Sequence, residues 1–146
     1  MLKNISRLVS PDLIKVLMEM GHGDEIVFGD SNFPAASRAR QGGRVVVRAD
    51  GHGIPELLEA ILPLFPLDYA VDFTAILMDY RQRLPQEPAV WARYKAALSL
   101  WPDGSKNYEI LAKPDFYERA AKAHAIVATG ETEGFANIIL RKGVVR

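Results

Sequence analysis

Of the side chains in this 146-residue sequence that can exchange a proton near neutral pH, His22 has the most open setting. The stretch MGHGDEIVFGD, Met20–Asp30, sets it between Gly21 and Gly23. Two glycines free the backbone and leave space beside the ring. An imidazole titrates near neutrality and can give or take a proton, as a reversible acid–base step requires. The plainer role for His22 is an exposed cap at a helix end. The GHG triplet recurs at Gly51–Gly53. There it follows a strand and precedes a helix, so His52 reads as a turn. His124 opens an apolar strand and reads as core or edge structure.

The carboxylates divide in the same way. Asp24 and Glu25 suit a solvated turn. Asp30 closes an apolar run and is flanked by Gly29 and Ser31, so it can either hold a ligand or cap the next loop. His22 and Asp24 do not have the spacing of a zinc motif, and a metal site uniting His22, His52 and a carboxylate would need distant segments to meet. Near the end, Phe135 and Asn137 of GFAN join a ring face to an amide. That combination recognises sugars, where a ring stacks on an apolar face and an amide serves hydroxyls. The plainer role is a hairpin anchor. Phosphate-loop, dinucleotide and nucleophile-elbow patterns are missing from the sequence.

Elements that would position these residues are well marked. Ser10 caps a helix that Pro11 opens; Leu13, Val16, Leu17 and Met20 form its apolar stripe, and Gly21 is predicted as its left-handed stop. EIVFGD reads as a strand ending at Asp30, SNFPAASRARQGG as a polar loop, and RVVVRAD as a strand whose Val45–Val47 run suits burial on both faces. PELLEAILPLF is a helix opened by Pro55, FTAILM a strand, and Asp79–Pro88 a loop. EPAVWARYKAALSL is an amphipathic helix, NYEILA a short strand, and KPDFYERAAKAHA a helix opened by Pro114. AIVAT and ANIILRKG are the last strands. This alternation predicts one α/β domain over residues 1–146, with a mainly parallel or mixed sheet between two helical layers. Ligands gather at the carboxyl ends of strands in such sheets, where Asp30 and Asp50 stand.

Eighteen basic residues balance eighteen acidic ones. That argues against a nucleic-acid groove or an anionic membrane face as the main partner, and near-zero charge permits self-association. The lack of cysteine excludes disulfides and thiolate chemistry and suits the cytoplasm. Met1–Ser10 does not read as a signal peptide, and apolar runs such as Ala60–Pro66 are far short of a membrane span.

Several separated blocks, taken in order, resemble one family. SPDLIKVLMEMGHGDEIVFGD, FP at Phe33–Pro34, VRADG, LLEAILPLFPLD, FYERAAKAHAIVATGE and NIILRKGV are similar to the ribose pyranase/fucose mutarotase (RbsD/FucU) family, nearest its fucose mutarotase branch. The likeness runs nearly end to end, though the middle around Asp68–Pro85 matches poorly. It implies an RbsD-like fold and a cofactor-free, metal-free isomerase acting on a free monosaccharide. It also implies a homo-oligomer, commonly a decamer of two stacked pentameric rings, with the site between neighbouring subunits. His22 then takes the proton-transfer position. Asp30, Lys113, Phe135, Ala136 and Asn137 take sugar-contact positions. Lys113 stands where the branch typically has arginine, and Phe135 where it has tyrosine. Those differences leave the sugar open. Ring-form interconversion of ribose, a non-catalytic sugar-binding or transport-associated module, and a metal-dependent isomerase are the alternatives.

Overall fold

The computed structural model describes residues 1–101 and 107–146. Along the chain run α1 (Pro11–Glu19), β1 (Glu25–Gly29), α2 (Ala35–Gly42), β2 (Val45–Ala49), α3 (Ile54–Ile61) and β3 (Phe73–Met78). After these come α4 (Val90–Ser99), β4 (Asn107–Leu111), α5 (Lys113–Lys122), β5 (Ala125–Thr129) and β6 (Ile138–Arg141). The strands form one sheet in the order β2-β5-β1-β6-β3-β4. β2, β5 and β1 are parallel neighbours, as are β3 and β4; β6 lies between β1 and β3 and is antiparallel to both. The sheet is therefore mixed, with one reversed strand near its centre.

Side chains alternate between the two faces, as a period of two requires. Ile26, Phe28, Leu77, Ile138 and Leu140 pack with Leu13, Leu57 and Trp91 of α1, α3 and α4. Val27, Ile76, Ile126 and Ile139 pack on the other face with Ala39 of α2 and Phe116 of α5. This is the expected three-layer arrangement. Among the described residues, no helix is long and apolar enough to cross a membrane.

Three local expectations change. Helix α1 starts as read, with the Ser10 hydroxyl accepting from the Leu13 N–H at 3.1 Å. It does not end in a left-handed Gly21. Met20 leaves the helix in an extended conformation, and the Lys142 ammonium donates to the Leu17 and Met20 carbonyls at 2.9 and 2.6 Å. A cation from another segment thus satisfies carbonyls that a left-handed turn would otherwise serve. Positive φ falls instead at Gly23, at 87°.

Val45 is 52% exposed, because β2 is an edge strand rather than an interior one. Ala35–Gly42 is a helix, not a loop. Its only buried apolar residues are Ala35 and Ala39, a signal too small to register as a stripe. Small residues let α2 approach α5 closely: a Cβ on Gly42 would lie 1.7 Å from the Ala121 carbonyl oxygen. Backbone cannot yield as a flexible side chain can. Gly42→Ala is therefore expected to lower stability by about 1–3 kcal/mol, despite alanine's better helix propensity. A fall in the urea midpoint at unchanged m-value would show it.

Candidate active site

Because β6 is reversed, its amino end lies at the edge where β1, β5, β3 and β4 end. Asp30 follows β1, Lys113 follows β4, and Phe135–Asn137 precede β6, so these residues share the carboxyl edge. Asp30 is only 6% exposed. Its backbone N–H donates to Asn137 Oδ1 at 2.8 Å, and its own Oδ1 accepts from the Asn32 N–H at 3.0 Å. Burial pushes the Asp30 carboxyl above its ordinary range. Hydrogen bonds from the N–H groups of Asn32, Ala136 and Phe33 and from Asn137 pull the other way without cancelling that effect.

Phe135 has φ of 59°, a left-handed conformation that costs a non-glycine residue energy and needs outside support. Helix α4 supplies it. The Trp91 indole donates to the Phe135 carbonyl at 2.9 Å, and the Tyr94 hydroxyl donates to the Ala136 carbonyl at 2.8 Å. Burial raises the Tyr94 pKa well above its usual range, which keeps that donor protonated. The Glu133 carboxylate in turn accepts from the Ala89 and Val90 N–H groups, at 2.6 and 3.0 Å, at the start of α4. Ala136 and Asn137 are buried, so both shape Asp30 from behind. Phe135 and Lys113 face a cleft of about 400 Å³ that Asp79 and Arg83 also line. A second recess of about 370 Å³ opens at Asp30, Phe33 and Arg40. Near both, the Tyr117 ring meets Phe33 edge-on at 5.2 Å and lies under the Lys113 ammonium at 5.3 Å.

His22 lies at the opposite, amino edge. Its loop is pinned by the Gly21 N–H donating to Asp24 Oδ2 at 2.8 Å, the Gly23 N–H to the Lys142 carbonyl at 2.8 Å and the Asp24 N–H to the Gly21 carbonyl at 3.2 Å. The imidazole is half exposed, and its Nε2 is 3.3 Å from Asp68 Oδ1. Asp68 closes the LLEAILPLFPLD block 46 residues from His22, where nothing local marks it as a partner, and it is fully buried. Its Oδ1 also accepts from the Ala70 N–H at 3.0 Å, and its Oδ2 from Arg141 Nε at 2.9 Å. Burial opposes the Asp68 charge most. Ala70, His22 and Arg141 together outweigh that opposition and hold the carboxyl below its ordinary range. An ionised carboxylate only accepts, so a neutral His22 imidazole bonded to it carries its proton on Nε2 and presents Nδ1 as an acceptor.

One copy of the chain does not unite these halves. The six residue steps from Asp24 to Asp30 span roughly 20 Å of extended backbone. His52 keeps to a turn: its N–H bonds the Ala49 carbonyl at 3.0 Å, and its Nδ1 is 3.4 Å from Glu56. His124 is partly buried at the start of β5, 3.9 Å from Asp24.

The sequence profile of the RbsD / FucU transport protein family matches residues 3–145. The chain belongs to the RbsD/FucU family. Among RbsD/FucU relatives, the fucose mutarotase of Mus musculus is 48% identical over 148 residues, which cover 99% of this chain and 95% of that one. The crystal structure of the fucose mutarotase from Streptococcus pneumoniae in complex with L-fucose is 48% identical, with a TM-score of 0.88 over 99% of this chain and 100% of that chain. FucU from Bifidobacterium longum is 42% identical, with a TM-score of 0.92 over 99% and 100% of the two chains.

Asp68 and Asp30, both buried, should respond oppositely to neutralisation. Asp68 is more acidic folded than unfolded, so its contribution to stability is present above the unfolded carboxylate pKa and is lost as pH falls through the folded one. Asp68→Asn is expected to cost about 1.5–3 kcal/mol at pH 7 through loss of charge-assisted bonds. The deficit should shrink below about pH 4, as read by urea unfolding across pH. Asp30 is less acidic folded than unfolded, so its ionisation lowers stability as pH rises through that window. Asp30→Asn is therefore expected to melt above the wild type at pH 7, with the gap closing as pH falls below about 4. Thermal melts at several pH values would check the sign.

Proposed function

We infer that this chain is a monosaccharide mutarotase that interconverts the anomers of L-fucose or a closely related free sugar. The single observation that carries the assignment is the half-exposed His22 imidazole backed by the buried, ionised Asp68. The kinship to fucose mutarotases supports it.

Mutarotation opens a hemiacetal and recloses it on the other face of the carbonyl. The anomeric hydroxyl loses a proton and the ring oxygen gains one; reclosure reverses both. Neither a redox step nor a covalent intermediate is required. In this reading Nδ1 of His22 takes the proton and returns it, while Asp68 steadies the imidazolium between the two events. Acid–base help of this kind gives about a hundred- to ten-thousandfold, enough for a reaction that already proceeds unaided.

Asp30 would hold a sugar hydroxyl, with Asn137 and Ala136 fixing it from behind. Phe135 would cover the sugar's apolar face and Lys113 would reach another hydroxyl. Since His22 and Asp30 belong to opposite edges, the working site joins the amino edge of one copy to the carboxyl edge of the next. A homo-oligomer is therefore part of the proposal, and two stacked pentameric rings are the expected form.

His22→Ala is expected to lower L-fucose anomer exchange at least about a hundredfold, measured by NMR saturation transfer on folded protein. Exchange at the wild-type rate would overturn the assignment. Mixing His22→Ala with Asp30→Asn subunits before assembly should restore a fraction of the activity, since some interfaces then pair intact halves. Wild-type binding of L-fucose without faster exchange would identify a non-catalytic sugar-binding module instead.

A further inference from the structure

The cleft beside Phe135 carries more positive charge than a neutral sugar requires. Lys113 and Arg83 both line it. Among the described residues, neither has a carboxylate partner. The Lys113 ammonium lies over the Tyr117 ring, and the Arg83 backbone N–H donates to the Tyr80 carbonyl at 2.8 Å. Asp79 also lines the cleft but is already committed. Its Oδ1 accepts from Arg81 Nε and its Oδ2 from Arg81 Nη2, each at 2.8 Å. The Arg81 side chain, assisted by its backbone N–H, holds that carboxyl down to about 2. Asp79 and Arg81 therefore neutralise each other, and Lys113 and Arg83 remain as an excess of positive charge.

Two cations facing one recess repel unless an anion lies between them. A guanidinium offers a planar fork and an ammonium a compact charge, and both suit carboxylate or phosphoryl oxygens. Phe135 and Pro114 supply apolar surface beside them, and a cleft of about 400 Å³ falls within the range of small-molecule sites. We propose that this cleft binds an oxyanion carried by a reducing monosaccharide, so that the ligands of the site include anionic sugars as well as neutral ones. This rests on the mutarotase reading for the location of the sugar and extends it to the charge of the ligand. Phe135, lacking a hydroxyl, leaves the polar recognition on that side to the two cations.

The test uses competition against L-fucose anomer exchange by the assembled protein, at ionic strength held constant with chloride. D-galacturonate is compared with D-galactose, and inorganic phosphate is added alone in a third arm. The expected result is that D-galacturonate competes at least about tenfold more strongly than D-galactose, and that Arg83→Gln removes most of this preference. Inorganic phosphate competing as well as the sugar acid would support the oxyanion site but assign it to a free anion. Equal competition by the acid and the neutral sugar, with no effect of phosphate, would overturn the proposal, as would a preference that Arg83→Gln leaves intact. Phosphate binding is also followed directly, by ³¹P line broadening on titration with protein. Broadening that Arg83→Gln abolishes supports the cleft even if L-fucose exchange is not accelerated, so failure of the mutarotase reading is separable from failure of this one.

Discussion

Strand β6 runs against its neighbours, and both edges of the sheet depend on that reversal. Three of its four residues are held by burial on both faces: Ile138 and Leu140 enter one core and Ile139 the other, all fully buried. Each such side chain contributes about 1.5–3 kcal/mol, so the segment has little freedom to slide. Its register against β1 pairs Ile138 with Phe28 and Arg141 with Glu25. The amino end therefore delivers Asn137 to Asp30. The carboxyl end delivers Arg141 to Asp68 and Lys142 to the end of α1. A parallel strand in the same slot would put both sets of residues at the wrong edges.

The two edges use the same functional group in opposite ways. Asp68 is fully buried yet kept ionised by a guanidinium, an imidazole and a backbone N–H. Asp30 is also buried, but its partners are neutral, so its carboxyl is pushed up instead. The first environment suits a fixed negative charge that orients a histidine. The second suits a group that exchanges hydrogen bonds with hydroxyls, because its charge is less firmly imposed. Depth of burial alone does not separate them; the bonds that Asp68 accepts from Ala70, His22 and Arg141 do.

Much of the scaffold was legible because its punctuation is local. Ser10 with Pro11, Pro55 and Pro114 mark helix starts whatever surrounds them, and the apolar runs of β1, β3, β5 and β6 are unmistakable. What escaped is tertiary. Helix α2 has alanines where a stripe would show larger residues, because its closeness to α5 demands small ones. The exposure of Val45 follows from strand order, which a run of valines does not encode. Asp68 gains its partner only when a segment 46 residues away folds beside it. Sequence marked Phe135 as a ring near an amide, but its left-handed backbone and the support from Trp91 and Tyr94 emerge only in three dimensions. The separation of His22 from Asp30 was implicit throughout: one precedes β1 and the other follows it, so a strand's length must lie between them.

In the proposed shared site, that separation limits how copies can associate. An amino edge must meet a carboxyl edge, and where the two belong to different patches the contact is head-to-tail. Such contacts either propagate into open filaments or close into rings, and closure leaves every subunit with both edges used. A two-fold dimer meets the same need only where one patch carries both edges, so that His22 of each subunit faces Asp30 of the other. A zero formal charge removes the long-range repulsion that would oppose gathering many copies. The chemistry assigned to His22 and the association of copies are therefore one proposal: a histidine set a strand's length from its substrate contacts works only if another subunit brings them to it.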